Sequence, residues 1–270
     1  MQEEMLQKIA YCFIPLLMEQ LLLCAASALF AETPVVGVIA GHVLTAGMCI
    51  YLLRRDEGMP WVRSSGMVQG GAEVRWPGPS QARVEMRSFR HTCVEEGALG
   101  KDRSQKDSDG RRWILRFTGS NISAGETMIW AAAACSICLL CTYALNIMGL
   151  AGTDEAYTEA NAVIEEAPGL LRFILVIIVA PVSEELLYRG VLYHRATVCF
   201  GERTGFLASV AAFALSHGNL VQGIAACVSG ILLTAACRRC AGRLWLPIFL
   251  HSVINACSLY VVPMLFTGIQ

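Results

Sequence analysis

The 270-residue chain is 55% hydrophobic and only 16% charged, with a formal net charge of −1 and a mean hydropathy of +0.51. That composition excludes an ordinary soluble domain and describes a multi-spanning membrane protein. A net charge near zero provides no global field for nucleic acid, so no nucleic-acid partner is expected and every charge argument is local.

Met1 to Lys8 carry Glu3 and Glu4 against one lysine, the wrong sign for a signal-peptide n-region, so the apolar run Ile9 to Phe30 reads as an uncleaved first helix. After the turn Ala31-Glu32-Thr33-Pro34, a second span runs from Val35 to Leu53, proline suiting a helix start. Each holds ionisable groups: Glu19 (beside Gln20) in the first and His42 in the second. Intramembrane polar groups mark ion paths or buried interhelical pairs, and the pair is the favoured reading here. Residues 1–53 thus form an N-terminal transmembrane helix pair.

Residues 54–126 form a polar cytoplasmic insert, partly disordered or small β. Trp76-Pro77-Gly78-Pro79 marks a turn, Arg83 to Arg87 and Arg112 to Phe117 alternate as short strands do, and Gly100 to Arg112 has the composition of a mobile loop. The basic character of the insert suits a solvated face near anionic lipid heads. The sequon Asn121-Ile122-Ser123 is uninformative in a cytoplasmic loop.

Residues 127–270 form a membrane-embedded helical domain. Its first span is Met128 to Leu150, followed by an acidic loop, Thr153 to Pro168, with no Lys or Arg. The fourth span runs from Leu170 to about Val198, interrupted by Pro181. A short fifth (Gly205 to His217), a sixth (Val221 to Ala236) and a seventh (Leu244 to Leu265) complete an all-α bundle of about seven spans. Basic residues cluster after spans two, four and six, and the alternate loops have none. The positive-inside rule then places the N-terminus and insert in the cytoplasm of a multi-pass cell-membrane protein. At least some two-thirds of the twelve cysteines fall in apolar spans, where a thiol packs as a small hydrophobe. Cys135-x-x-Cys138-x-x-Cys141 and Cys237-Arg-Arg-Cys240 read as packing rather than as metal or redox motifs.

The fourth span ends in Pro181-Val182-Ser183-Glu184-Glu185-Leu186-Leu187-Tyr188-Arg189-Gly190. An ionisable residue in a membrane helix costs roughly 2.5 to 3.5 kcal/mol, so two adjacent carboxylates demand a reason. Glu185 and Arg189 are four apart, acid first, the better orientation for an ion pair. Glu184 points about 100° away and is left to face a cavity. Three further polar groups follow: His217 near the end of span five, and His251 with Asn255, four apart on one face of span seven. A carboxylate in a partly apolar site can take a proton from water, His217 can orient that water, and His251 with Asn255 can donate to an oxyanion. The chemistry that fits is peptide hydrolysis. One carboxylate and two histidines can also hold Zn²⁺, although no HExxH is present and Asn is a poor zinc ligand.

Taken together, Glu184-Glu185-x-x-x-Arg189, Phe213-x-x-x-His217 and His251-x-x-x-Asn255 resemble the three-motif pattern of the CPBP family, the CAAX-prenyl-protease and bacteriocin-processing intramembrane peptidases. The resemblance covers Leu170 to Ser258. It implies an all-helical membrane endopeptidase with Glu184 and His217 activating water, His251 and Asn255 as the oxyanion site, and Glu185 and Arg189 in support. It further implies a metal-independent, glutamate-type mechanism, with a metallopeptidase as the alternative, and a membrane-associated or prenylated peptide or protein substrate amid membrane lipids. Two other readings stay open: a non-catalytic scaffold or partner-binding protein, and a proton-coupled carrier using Glu19, His42, Glu184 and His217.

Overall fold

The computed structural model describes residues 2–57 and 122–266. Every element among them is helical. In chain order they are α1 (Gln2–Leu29), α2 (Pro34–Glu57), α3 (Ala124–Ile147), α4 (Leu150–Thr153), α5 (Glu155–Glu165), α6 (residues 169–200), α7 (Glu202–Leu215), α8 (Leu220–Arg239) and α9 (residues 245–266). The strand-like pieces at 83–87 and 112–117, the turn at 76–79, the loop at 100–112 and the first residue of the sequon lie outside the described residues.

Among the described residues five helices are long and apolar enough to cross a membrane: Glu3–Leu29, Pro34–Asp56, Ala124–Ile147, Leu220–Arg239 and Trp245–Leu265. Two of the seven spans read from the sequence differ in character. Helix α6 carries Arg172, Glu184, Glu185 and Arg189 in its interior, and α7 has 14 residues, about 21 Å at 1.5 Å per residue.

The bundle is arranged around α6, which packs on α1 and α2 on one side and on α7 and α9 on the other, while α3 lies behind α8 and α9. The main core joins these helices through Leu53, Leu186, Leu187, Val191, Phe213, Leu233 and Leu250. Large apolar residues outside it, such as Leu17, Leu44, Ile129 and Leu140, are exposed on the bundle's outer surface, as a lipid-facing surface requires. Close approach of α7 to the end of α6 depends on Gly205, where an added Cβ would lie 2.2 Å from Thr197 Oγ1 and 2.8 Å from its backbone nitrogen.

Pro181 does not interrupt α6. Proline lacks an N–H and its ring collides with the carbonyl one turn earlier. The helix widens instead to π geometry over Ile174–Val179, which spreads the turn to i→i+5 bonding. The carbonyls that Pro181 would have served in α and π registers belong to Ile177 and Val176. Helix α9 supplies the missing donors: Ser252 Oγ donates to Ile177 O at 2.8 Å and Asn255 Nδ2 to Val176 O at 2.8 Å.

The acidic stretch read as a loop, Thr153 to Pro168, starts at the last residue of α4 and contains α5. Asp154 starts α5 by accepting the Tyr157 N–H at 3.1 Å through Oδ1. Its Oδ2 accepts the N–H groups of Leu220 at 2.9 Å and Val221 at 3.1 Å. One carboxylate therefore caps two helices and docks α5 at the start of α8, where free N–H groups favour negative charge. These bonds, Val221's foremost, hold the Asp154 carboxyl below its ordinary value of 3.8.

Candidate active site

At the middle of α6 the two adjacent carboxylates separate, as 3.6 residues per turn demands. Glu185 turns into the protein and its side chain is 0% exposed. Its Oε1 lies 2.7 Å from Arg189 Nη1 and 2.9 Å from His251 Nδ1. Arg189 is buried with it, its guanidinium 4.4 Å over the Phe213 ring and donating to Gly230 O at 3.3 Å and Thr234 Oγ1 at 3.4 Å. Gly230 is needed for that reach, because a Cβ there would sit 3.2 Å from Phe213 and 3.4 Å from Arg189 Nη2. A buried charge is tolerable only when paired and hydrogen-bonded.

Glu184 keeps 17% of its side chain exposed, and its Oε2 lies 3.7 Å from His251 Nε2. His251 therefore stands between the two carboxylates, Nδ1 bonded to the buried one and Nε2 turned to the open one. Across the site Phe213 carries two imidazoles edge-on, His217 at 5.1 Å and His251 at 5.6 Å between ring centroids. His217 Nδ1 donates to Phe213 O at 2.8 Å, because a carbonyl can only accept, and this leaves Nε2 available.

The structure thus joins Glu184, Glu185, Arg189 and His251 in one network and attaches His217 through Phe213. Asn255 sits a turn beyond His251 with one amide hydrogen committed to Val176 O and a second still to give. Among the described residues no three His, Cys, Asp or Glu side chains are grouped to hold a metal ion. No disulfide joins the cysteines among the described residues.

The N-terminal pair reaches the same site. Tyr188 OH donates to Glu19 Oε2 at 3.1 Å, and His42 Nδ1 lies 2.7 Å from Ser183 Oγ. The only signal for them in the sequence was their cost inside an apolar helix.

Residues 166–257 match the family model for the Rce1-like type II CAAX prenyl endopeptidases. The match spans about a third of the chain, is consistent with a CPBP-type intramembrane peptidase, and contains Glu184, Glu185, Arg189, His217, His251 and Asn255. Neither the curated proteins nor the solved structures return a match. Family and helices together support a membrane protease.

Proposed function

We propose that the protein is an intramembrane endopeptidase that hydrolyses a peptide bond of a lipidated or otherwise membrane-associated substrate, with a water molecule activated at Glu184. The observation that carries this reading is the division of labour between neighbouring carboxylates: Glu185 buried and paired, Glu184 partly open beside the same histidine. Glu184 takes a proton from water as the oxygen attacks the carbonyl carbon. The C=O pair moves to oxygen, the C–N bond then breaks, and the proton held by Glu184 passes to the leaving nitrogen. His217, fixed by the Phe213 carbonyl, orients the water through Nε2.

The developing oxyanion is held by His251 Nε2–H and the second amide hydrogen of Asn255. For Nε2 to donate while Nδ1 donates to Glu185, His251 must be the imidazolium. Two carboxylates, Arg189 and that imidazolium then sum to zero charge, the balance a low-dielectric interior favours. No step requires a metal. The N-terminus and insert face the cytoplasm on the positive-inside rule.

The test is cleavage of an internally quenched farnesylated CAAX peptide by the purified chain in lipid nanodiscs. Glu184→Gln keeps shape and loses the base, and its rate falls about 10²- to 10⁴-fold, the usual worth of general acid–base catalysis. Activity persists in the presence of a chelator. Equal rates for wild type and Glu184→Gln sink the reading. A comparison of membrane peptidomes from cells making either form then finds the native substrate.

A further inference from the structure

His42 lies on α2, outside the matched segment, and is buried at the centre of the bundle. Its Nδ1 is 2.7 Å from Ser183 Oγ, and Ser183 Oγ is 3.0 Å from Ala180 O. A hydroxyl has one proton and a carbonyl only accepts. The serine proton therefore goes to Ala180 O, a bond common for serine within helices, and His42 Nδ1–H donates to the serine oxygen.

The same use of Nδ1–H is found twice more. His217 gives Nδ1–H to Phe213 O and His251 gives it to Glu185. Three histidines, on α2, in the turn after α7 and on α9, each spend Nδ1–H on the protein. From α1, Glu19 accepts a hydrogen bond from Tyr188 of α6, so both helices of the N-terminal pair reach α6 beside the site. The residue that anchors His42 immediately precedes Glu184.

We propose that His42 is a positioning residue of the active site: from α2 its Nδ1–H bond to Ser183 pins the Ser183–Glu184 step of α6. This rests on the peptidase reading, with Glu184 as the base. It assigns the N-terminal helix pair a part in the chemistry that the matched segment alone does not contain. A purely structural polar pair would affect stability and leave the turnover of folded protein unchanged, and that difference can be measured.

Leucine at position 42 removes the Nδ1–H donor, and asparagine places an amide N–H where it stood. In the nanodisc assay with the farnesylated peptide, folded His42→Leu keeps the wild-type KM. Its kcat falls by about tenfold to a hundredfold, the scale of misplacing a catalytic group, and His42→Asn restores most of it. An unchanged kcat in folded His42→Leu overturns the proposal, as does a loss that His42→Asn fails to restore. A second measurement needs no turnover: ¹⁵N NMR of the His42 ring in wild type and Ser183→Ala. The Nδ1–H signal shifts when the serine oxygen is removed; an unchanged signal overturns the pin whatever the assay gives. If wild type fails to cleave but the signal shifts, the peptidase reading fails and the His42–Ser183 bond stands.

Discussion

Helix α6 contributes the arginines of two buried arginine–carboxylate pairs, less than two turns apart, and they are built to opposite plans. Arg195 lays its fork on Asp56 with Nε at 2.8 Å and Nη2 at 3.2 Å from separate oxygens. Its remaining nitrogen donates to Tyr11 O at 2.7 Å, and the guanidinium sits 4.1 Å over the Tyr11 ring. Both oxygens and all three nitrogens are used, and the pair staples α1, α2 and α6 together. Arg189 meets Glu185 through one oxygen, which His251 shares, and Glu185 Oε2 takes no hydrogen bond among the described residues. A bidentate, saturated pair fixes geometry. A half-saturated one in a low dielectric is costly to keep, and it stands beside the open carboxylate of the proposed active site.

The sharpest way to break this contrast is to remove each arginine in turn. Arg195→Met leaves Asp56 buried without its partner and costs about 3–5 kcal/mol, the usual penalty for an orphaned buried charge. The fraction that folds keeps the wild-type turnover, because nothing at Glu184 has moved. Arg189→Met carries a similar penalty and abolishes turnover as well, since Glu185 then has only His251 to balance it. Chemical unfolding in detergent gives the stabilities, and the farnesylated-peptide assay on folded protein gives turnover. Replacing both partners, Asp56→Leu with Arg195→Met, recovers most of the lost stability, as neutral substitution of buried pairs often does. A double variant no more stable than the single would show that Arg195 serves mainly through Tyr11.

A smaller effect separates the π turn from the site it supports. Ser252→Ala removes the donor to Ile177 O and leaves a buried carbonyl unserved, worth about 1–3 kcal/mol. It acts on stability with little change in pH profile, because Ser252 bonds only to backbone carbonyls. Asn255→Ala removes the companion bond to Val176 O and, on the proposed mechanism, an oxyanion donor too, so it lowers turnover as well. Equal losses of turnover in both variants would mean that Asn255 serves only the π turn.

These residues also mark where the sequence was legible. Long apolar runs announced α1, α2, α3, α8 and α9, because spanning a bilayer needs a length that composition alone reveals. The Glu185–Arg189 spacing was equally readable, since both partners lie on one helix. Pro181 was misread as a break because its compensation comes from Ser252 and Asn255, more than seventy residues away in sequence. Local pattern cannot show a donor arriving from another helix. Likewise His42 and Glu19 stood out by cost, but their partners Ser183 and Tyr188 became visible only in the fold. Helix α5 was passed over because its partly buried face, Tyr157, Ala160, Asn161 and Ile164, is only weakly apolar beside the glutamates.

The smallest effect belongs to α5 and tests whether its attachment is independent of the buried network. Asp154 has its carboxyl held below 3.8 by backbone N–H groups, so the unfolded chain binds a proton there more readily than the folded one. Its contribution to stability is therefore fully present above the unfolded value and is lost as pH falls through the lower folded value. Asp154→Ala melts slightly below wild type at neutral pH, and the gap between the two closes as the solution is acidified past that range. The difference curve isolates Asp154 from the other carboxylates, which titrate alike in both proteins. Turnover at neutral pH is unchanged if α5 is only docked on α8. A lowered turnover with unaltered melting would instead tie the placement of α5 to the His217 loop, because Leu220 and Val221, which Asp154 holds, follow His217 directly.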